Sequence, residues 1–486
     1  MILTDDQTAA LDAIREFLFK TENRYFSLTG SAGTGKTTLV DEVKGIARVA
    51  VAAPTHKAKH VISQKTGITA AYTVAELIGL GVDDDISDFD PNKPQFKPKN
   101  EPKIQMHKTF VIDEASMINS ELYNYITELA DEYDTKVIFI GDVCQLPPVK
   151  EQTDSLALTE PEYKFELTSV VRQQPDNPLA CLLLALRCDI IYRTHGEVPA
   201  KAVEAWKNAV NTFAPDMLET AQEQYEIGRL FGWTVRNFGE GYLTNENKGW
   251  VVTKDKEILE TYIEQLVDMD TEFKAIAYTN SRVAEFNVFI RSLVYPRASS
   301  PILKGEKLMA YKSVKDITGK SLKIVNSMEY KVINVSGESL NFGNKRLDTF
   351  KCLLLDENGS SCFVNILSPA SNEDFNALVS NAYFNAKKGG SWRDYYKIME
   401  NTIPMIDHAI AYNNQALPYK SIDYAYAITA HKSQGSTYNT VVVDGKNISM
   451  VKQYAKDLSP GDRDIMLLKL LYVAISRASE KAIIYF

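Results

Sequence analysis

Short runs of apolar, β-prone residues recur along the chain, with helical stretches between many of them. The runs are FSLTG (26–30), VAVAAPT (49–55), TFVIDEAS (109–116), KVIFIGD (136–142), AIAYTN (275–280), TVVVDG (440–445) and AIIYF (482–486). Each reads as a strand, and several lead straight into a polar loop. Intervening stretches such as Lys36–Ala47 and Ser120–Tyr133 read as helices. Strands alternating with helices predict parallel sheets of the α/β class. The continuous apolar run VIFI predicts a strand buried on both faces.

The pattern breaks in three places. Residues 81–105, GVDDDISDFDPNKPQFKPKNEPKIQ, are rich in Asp, Pro and Lys and poor in aliphatics, which marks an insertion. Residues 195–250 are mixed and aromatic, without a legible plan. Residues 301–370 carry short strands and turn signals in KLMAY, MEYKVINVSG and RLDTFKCLLLDENGSSCFVNIL, predicting a small antiparallel, barrel-like insertion. Residues 371–414 then turn helical and aromatic. No internal repeat or low-complexity tract is visible.

Composition narrows the class without deciding it. A chain of 486 residues, 45% hydrophobic and 24% charged, is globular and long enough for two to four domains. No apolar run approaches the roughly 20 residues of a membrane span. The opening MILTDDQTAALDAIREF turns acidic early and reads as a helix, not as a secretory signal. The cysteines at 144, 181, 188, 352 and 362 form no CxxC pair, so a reduced, cytoplasmic setting fits best. A net charge of −9 argues against nonspecific wrapping of nucleic acid, while leaving room for a local basic channel.

The chemistry starts at GSAGTGKT, residues 30–37, a full match to G-x-x-x-x-G-K-S/T between a strand and a helix. Backbone N–H groups of Gly30, Ser31, Ala32, Gly33, Thr34 and Gly35 could cradle phosphates, helped by the helix N-terminus and by Thr38 just beyond. Lys36 could reach the β- and γ-phosphates, and Thr37 could ligate Mg²⁺. TFVIDEAS ends a strand with Asp113, a candidate Mg²⁺ ligand, and Glu114, a candidate base for the attacking water. Read alone, the pair could equally be an acidic helix cap. Gln145 follows the next buried strand in VIFIGDVCQLPPV, where an amide can sense the γ-phosphate.

Taken in order, these segments resemble the superfamily 1 helicases. LTDDQ (3–7), GSAGTGKT, APTHKAKH (53–60), VIDEAS, GDVCQLPPV, FELTSVVRQ (165–173), AIAYTNSRVAEFN, ITAHKSQGST and LLYVAISRAS (470–479) follow the family's order across nearly the whole chain. The chain is most similar to the RecD-like, 5′-to-3′ branch and to its phage DNA-dependent ATPase (Dda) type. The resemblance implies two RecA-like P-loop domains, the first at 1–190 with a pin at 81–105, the second at 191–300 with 415–486. It adds an SH3-like barrel at 301–370 and a helical tower at 371–414. It makes Gln7 the adenine reader, brings Gly435 to the ATP cleft, and places Arg172 and Arg477 there as arginine fingers. Two departures stand out: Val171 replaces the adenine-stacking aromatic, for which Tyr278 could substitute, and Ala75 replaces a histidine two residues beyond Thr73.

The same resemblance assigns nucleic-acid contacts. Pro54, Thr55, His56 and Thr73 would grip single-stranded DNA from the first domain, and Thr429, His431, Lys432 and Ser433 from the second. Lys57 and Lys59 read equally well as a solvated helix face. Phe96 in the pin would stack on the last base pair as a wedge, or pack on its own domain. Tyr383, Phe384, Trp392 and Tyr395 would dock the tower or form its own core. The implied activity is an ATP- and Mg²⁺-dependent DNA helicase, a monomer acting at junctions of single and double strands. Single-strand-binding or replisome proteins are candidate partners, and a phage role in replication or recombination follows from the branch. An RNA helicase and a non-processive ATPase switch remain open alternatives.

Overall fold

The computed structural model describes residues 3–486 apart from 32, 81–97, 99, 150, 169–176, 221–224, 240, 245–246, 316–321, 344 and 406–420. Two compact units emerge, one made of residues 1–279 with 429–486, the other of residues 280–428.

In the first unit, one six-stranded sheet runs in the order Ala71–Thr73, Ala50–Ala53, Thr109–Ile112, Lys136–Gly141, Tyr25–Gly30, Tyr163–Leu167. Every pairing is parallel, so the C-terminal ends of all six strands open onto one edge. VIFI behaves as its pattern predicts. Ile138 and Ile140 pack with Leu28, Leu39 and Phe17 on one face, while Val137 and Phe139 pack with Phe110, Leu122 and Ile126 on the other. The covering helices are capped by their own sequence. Thr4 forms a capping box with Gln7 at helix Asp5–Lys20, and the Asn119 side chain accepts from Leu122 N at helix Ser120–Glu132.

A second six-stranded sheet runs Ala427–Thr429, Phe273–Ala277, Tyr438–Asp444, Ala478–Tyr485, Gly249–Thr253, Gly241–Leu243. Its central pairings are parallel, and Gly241–Leu243 pairs antiparallel with Gly249–Thr253. This sheet accounts for the stretch that had no plan. Residues 195–250 supply helices Ala200–Phe213 and Leu230–Asn237, whose Trp206 and Trp233 rings meet at 5.4 Å, and then these two strands. GWVVT was too short a run, after too polar a lead, to announce a buried strand.

The second unit holds an antiparallel sheet in the order Ser361–Leu367, Lys345–Asp356, Glu329–Phe342, Lys307–Ala310, Ile422–Tyr424. The short strands expected there prove partly long: Glu329–Phe342 spans 14 residues and Lys345–Asp356 spans 12. The fifth strand, Ile422–Tyr424, comes from beyond the predicted insertion. Helices Asn372–Lys387 and Trp392–Asn401 follow the sheet, and Phe375, Val379 and Ile398 pack with Leu347 and Leu367. Tyr383 contacts the rings of Phe384, Trp392 and Tyr395, so these aromatics form a cluster of the helical pair itself, with Phe384 and Trp392 still exposed. Of the segment 81–105 expected to form a pin, residues 81–97 and 99, Phe96 included, lie outside the described residues.

Candidate functional site

At the open edge of the first sheet, the phosphate loop turns through Gly33 (φ 89°) and Gly35 (φ 82°), conformations that suit glycine. Helix Lys36–Lys44 begins there. Lys36 Nζ donates to Gly30 O at 2.7 Å and to Ser31 O at 2.8 Å, so the ammonium folds across the loop. Burial lowers its pKa from the ordinary lysine value, against the pull of Asp142, Asp113 and Glu114. Thr34 is buried, and its hydroxyl donates to Ser31 O. Thr37 and Thr38 lie half-buried on the first turn of the helix, while Ala32 is outside the described residues.

Gln7 meets this loop directly. Its capping-box carboxamide accepts from Thr4 N at 3.1 Å and donates from Nε2 to Thr34 O at 3.1 Å. A Cβ on Gly35 would come within 2.2 Å of that Nε2. The helix cap and the phosphate loop are therefore one packed structure, which explains why a glutamine at this position is 4% exposed.

Asp113 and Glu114 leave the strand Thr109–Ile112 at the same edge. Asp113 N donates to Ala52 O, and Glu114 N donates to Asp113 Oδ1 at 2.9 Å. Glu114 sits at φ 52°, ψ 39°, a left-handed conformation uncommon outside glycine and asparagine. Strain of this kind persists where the surroundings hold it, and it gathers at functional sites. Burial and the neighbouring Asp113 raise the Glu114 pKa, against Arg477 and Lys36. Burial also raises Asp113, against the Glu114 N–H and Lys36.

Gly435 (φ 71°) closes over this pair from the second sheet: a Cβ there would lie 3.5 Å from Glu114 Oε1 and 4.0 Å from Ala58 Cβ. Arg477 is 4% exposed and donates to Val473 O, Ser436 O and Ser476 Oγ, which fixes its guanidinium within electrostatic reach of Glu114. Two carboxamides beside these groups carry buried atoms without a hydrogen-bond partner among the described residues, Gln145 Oε1 and Gln434 Nε2. Buried orphans of this sort are rare, and their presence here suits a polar ligand that satisfies them. Arg172 lies outside the described residues.

Sequence reasoning missed the network that ties the two sheets together. Asp142, fully buried, accepts from Arg187 Nη1 at 2.6 Å, from Tyr472 OH at 2.7 Å and from Cys144 N at 3.0 Å. Burial alone would raise its pKa, but Arg187, Lys36 and Tyr472 hold it below the ordinary carboxylate value. Lys469, one turn before Tyr472, donates to Val143 O and to Asp154 Oδ1 at 2.5 Å. Arg187 and Asp189 inside the leucine-rich LACLLLALRCDIIYRTH were the available signal, since charged residues in an apolar helix need partners.

The two candidate grips differ from expectation in detail. Thr55 caps helix His56–Thr66 by accepting from Ala58 N, and His56 is half-buried beside it. Lys59 is held by Glu76 at 3.1 Å instead of forming a solvated face. Pro54 is buried, and so is Thr73, 2% exposed, whose hydroxyl completes a capping box with Glu76 and is spent on its own helix. On the other sheet, Ser433 is fully buried and donates to Ala430 O, so it shapes the turn and presents no group outward. Thr429 and Lys432 are half-buried and His431 is exposed.

Comparison with known proteins fits this arrangement. Residues 2–195 match the AAA domain family and residues 424–485 the UvrD-like helicase C-terminal domain. The ATP-dependent RecD2 DNA helicase of Deinococcus radiodurans is 30% identical over 41% of this chain and 25% of its own length. The ATP-dependent DNA helicase dda of Enterobacteria phage T4 is 27% identical over 35% of this chain and 39% of its own. These matches support kinship with the superfamily 1B helicases, Dda among them. The chain spans well under two thirds of either named relative. An uncharacterized protein of Acanthamoeba polyphaga mimivirus matches from end to end, at 22% identity over 99% of both chains. Superposition on the Pif1 helicase from Candida albicans gives a TM-score of 0.43 at 18% identity, covering 100% of this chain and 95% of that one, too loose a fit to argue from.

Proposed function

We infer that the chain is an ATP-driven motor that moves 5′ to 3′ on single-stranded DNA and opens duplex at a junction. The observation that carries this is the loop 429–435. At one end Gly435 lies against Glu114, and at the other His431 is exposed beside Thr429 and Lys432. A single short segment therefore connects the hydrolytic carboxylate to groups suited to a phosphodiester backbone.

In the nucleotide half, Gln7 and the phosphate loop hold ATP, and Lys36 pairs with the phosphates. Thr37 and Asp113 are hard oxygen donors of the kind Mg²⁺ selects, and Asp113 has one carboxylate oxygen engaged by the Glu114 N–H. They would hold the ion, which when bound neutralises charge on the phosphoryl oxygens. Glu114 takes the proton from the water that attacks the γ-phosphorus. Gln145 positions that water or phosphate, and Arg477, joined by Arg172, offsets charge on the transferring group. Thr55 and His56 grip the strand from the first sheet and Thr429, His431 and Lys432 from the second. Unequal grip across the ATP cycle then yields movement, and the 81–105 segment with Phe96 serves as the wedge.

Strand separation on two duplexes, one tailed at 5′ and one at 3′, tests this reading. Opening of the 5′-tailed duplex alone is expected. Opening of the 3′-tailed one alone would refute the direction, and opening of neither would refute unwinding. Lys36→Ala should abolish ATP turnover while DNA affinity stays within a few-fold; a variant that still turns over ATP would remove the phosphate-loop assignment.

A further inference from the structure

Beside the loop 429–435 the structure places three aromatic rings in a row. Tyr278 follows strand Phe273–Ala277, and its ring lies 6.0 Å from that of His431 at 41° and 6.4 Å from that of Tyr454 at 39°. Tyr454 is 60% exposed, and His431 is exposed as well. A half-solvated tyrosine at the end of a row of rings offers a free aromatic face.

The row is built on a firm base. Asn447 Oδ1 accepts from Tyr278 N at 2.8 Å and from Thr279 N at 3.0 Å, while its Nδ2 donates to Thr279 Oγ1 at 3.2 Å. Asp444 in turn accepts from Asn447 N at 2.7 Å, and Tyr454 N donates to Met450 O in the next turn of the same segment. Ala430 N donates to Ala277 O at 2.8 Å, which pins the start of the 429–435 loop next to Tyr278. Three separate segments thus converge to hold three rings at the ligand edge of the second sheet.

We propose that Tyr454, Tyr278 and His431 form a base-stacking step that takes a nucleobase of the bound single strand. The step rests on the reading of loop 429–435 as a DNA contact and gives it a further element, since phosphate contacts alone ignore the bases. Every base has a π-face, so the step holds DNA without selecting sequence. It also assigns Tyr278 to the nucleic-acid side of the second sheet, not to adenine.

The test compares a 16-mer of deoxythymidine with an abasic 16-mer of equal charge. Tyr454→Ala should weaken binding of the base-bearing strand by roughly tenfold or more. Its affinity for the abasic strand should match that of the unsubstituted protein, and Tyr454→Phe should restore binding. Equal loss on both strands, or loss on neither, would overturn the step. A raised KM for ATP in Tyr278→Ala with strand affinity unchanged would also overturn it, by moving that ring to the nucleotide. Lys432→Ala separates the two readings: it should weaken both strands together, and if it weakens neither, the loop itself is not a DNA contact.

Discussion

Glu114 illustrates how much a single residue carries. Its backbone is left-handed, and burial together with the neighbouring Asp113 raises its pKa. In the proposed role of base it works only when ionised, so hydrolysis should fall as pH drops through its raised pKa. Arg477 favours the ionised form, so Arg477→Gln should raise that pKa further. The acid limb of residual single-turnover hydrolysis should then move to higher pH; an unmoved limb would separate Arg477 from Glu114. The residue types here were legible because the phosphate loop, the acidic pair and GDVCQLPP are local patterns. The strain at Glu114 was not legible, because nothing in DEAS announces a positive φ.

Among the elements, helix Leu179–His195 is the most exposed to failure, since Arg187 within it neutralises Asp142 and also pairs with Glu166. Arg187→Met would strand a buried carboxylate and should cost about 3–5 kcal/mol in denaturant unfolding. Asp142 has a depressed pKa, so its share of stability is present above about pH 4 and lost as pH falls through the lower folded value. The variant should lose that acid-side dependence. The elements themselves were mostly legible: FSLTG, VAVAAPT and KVIFIGD gave strands, since a continuous apolar run has few other uses. What stayed hidden was non-local. Ile422–Tyr424 pairs with Lys307–Ala310, and Tyr472 with Asp142, and no local pattern encodes partners so far apart.

For the whole molecule, motor and wedge should be separable: Phe96→Ala is expected to slow unwinding several-fold and leave DNA-stimulated ATP turnover near that of the parent, whereas parallel loss of both would deny the wedge. The route of the chain has a further consequence. Residues 280–428 interrupt the second sheet between Phe273–Ala277 and Tyr438–Asp444, which pair in parallel. That pairing must close a very long loop, and the entropy of closure delays it. The intervening unit shortens the search by drawing its own ends together, since Ala427 N donates to the side chain of Asn287 at 2.8 Å. The second sheet is therefore expected to close after the unit inserted within it. A lesion deep in the antiparallel hairpin, remote from every catalytic group, would surface as slow maturation of ATPase activity in protein that is fully active once folded.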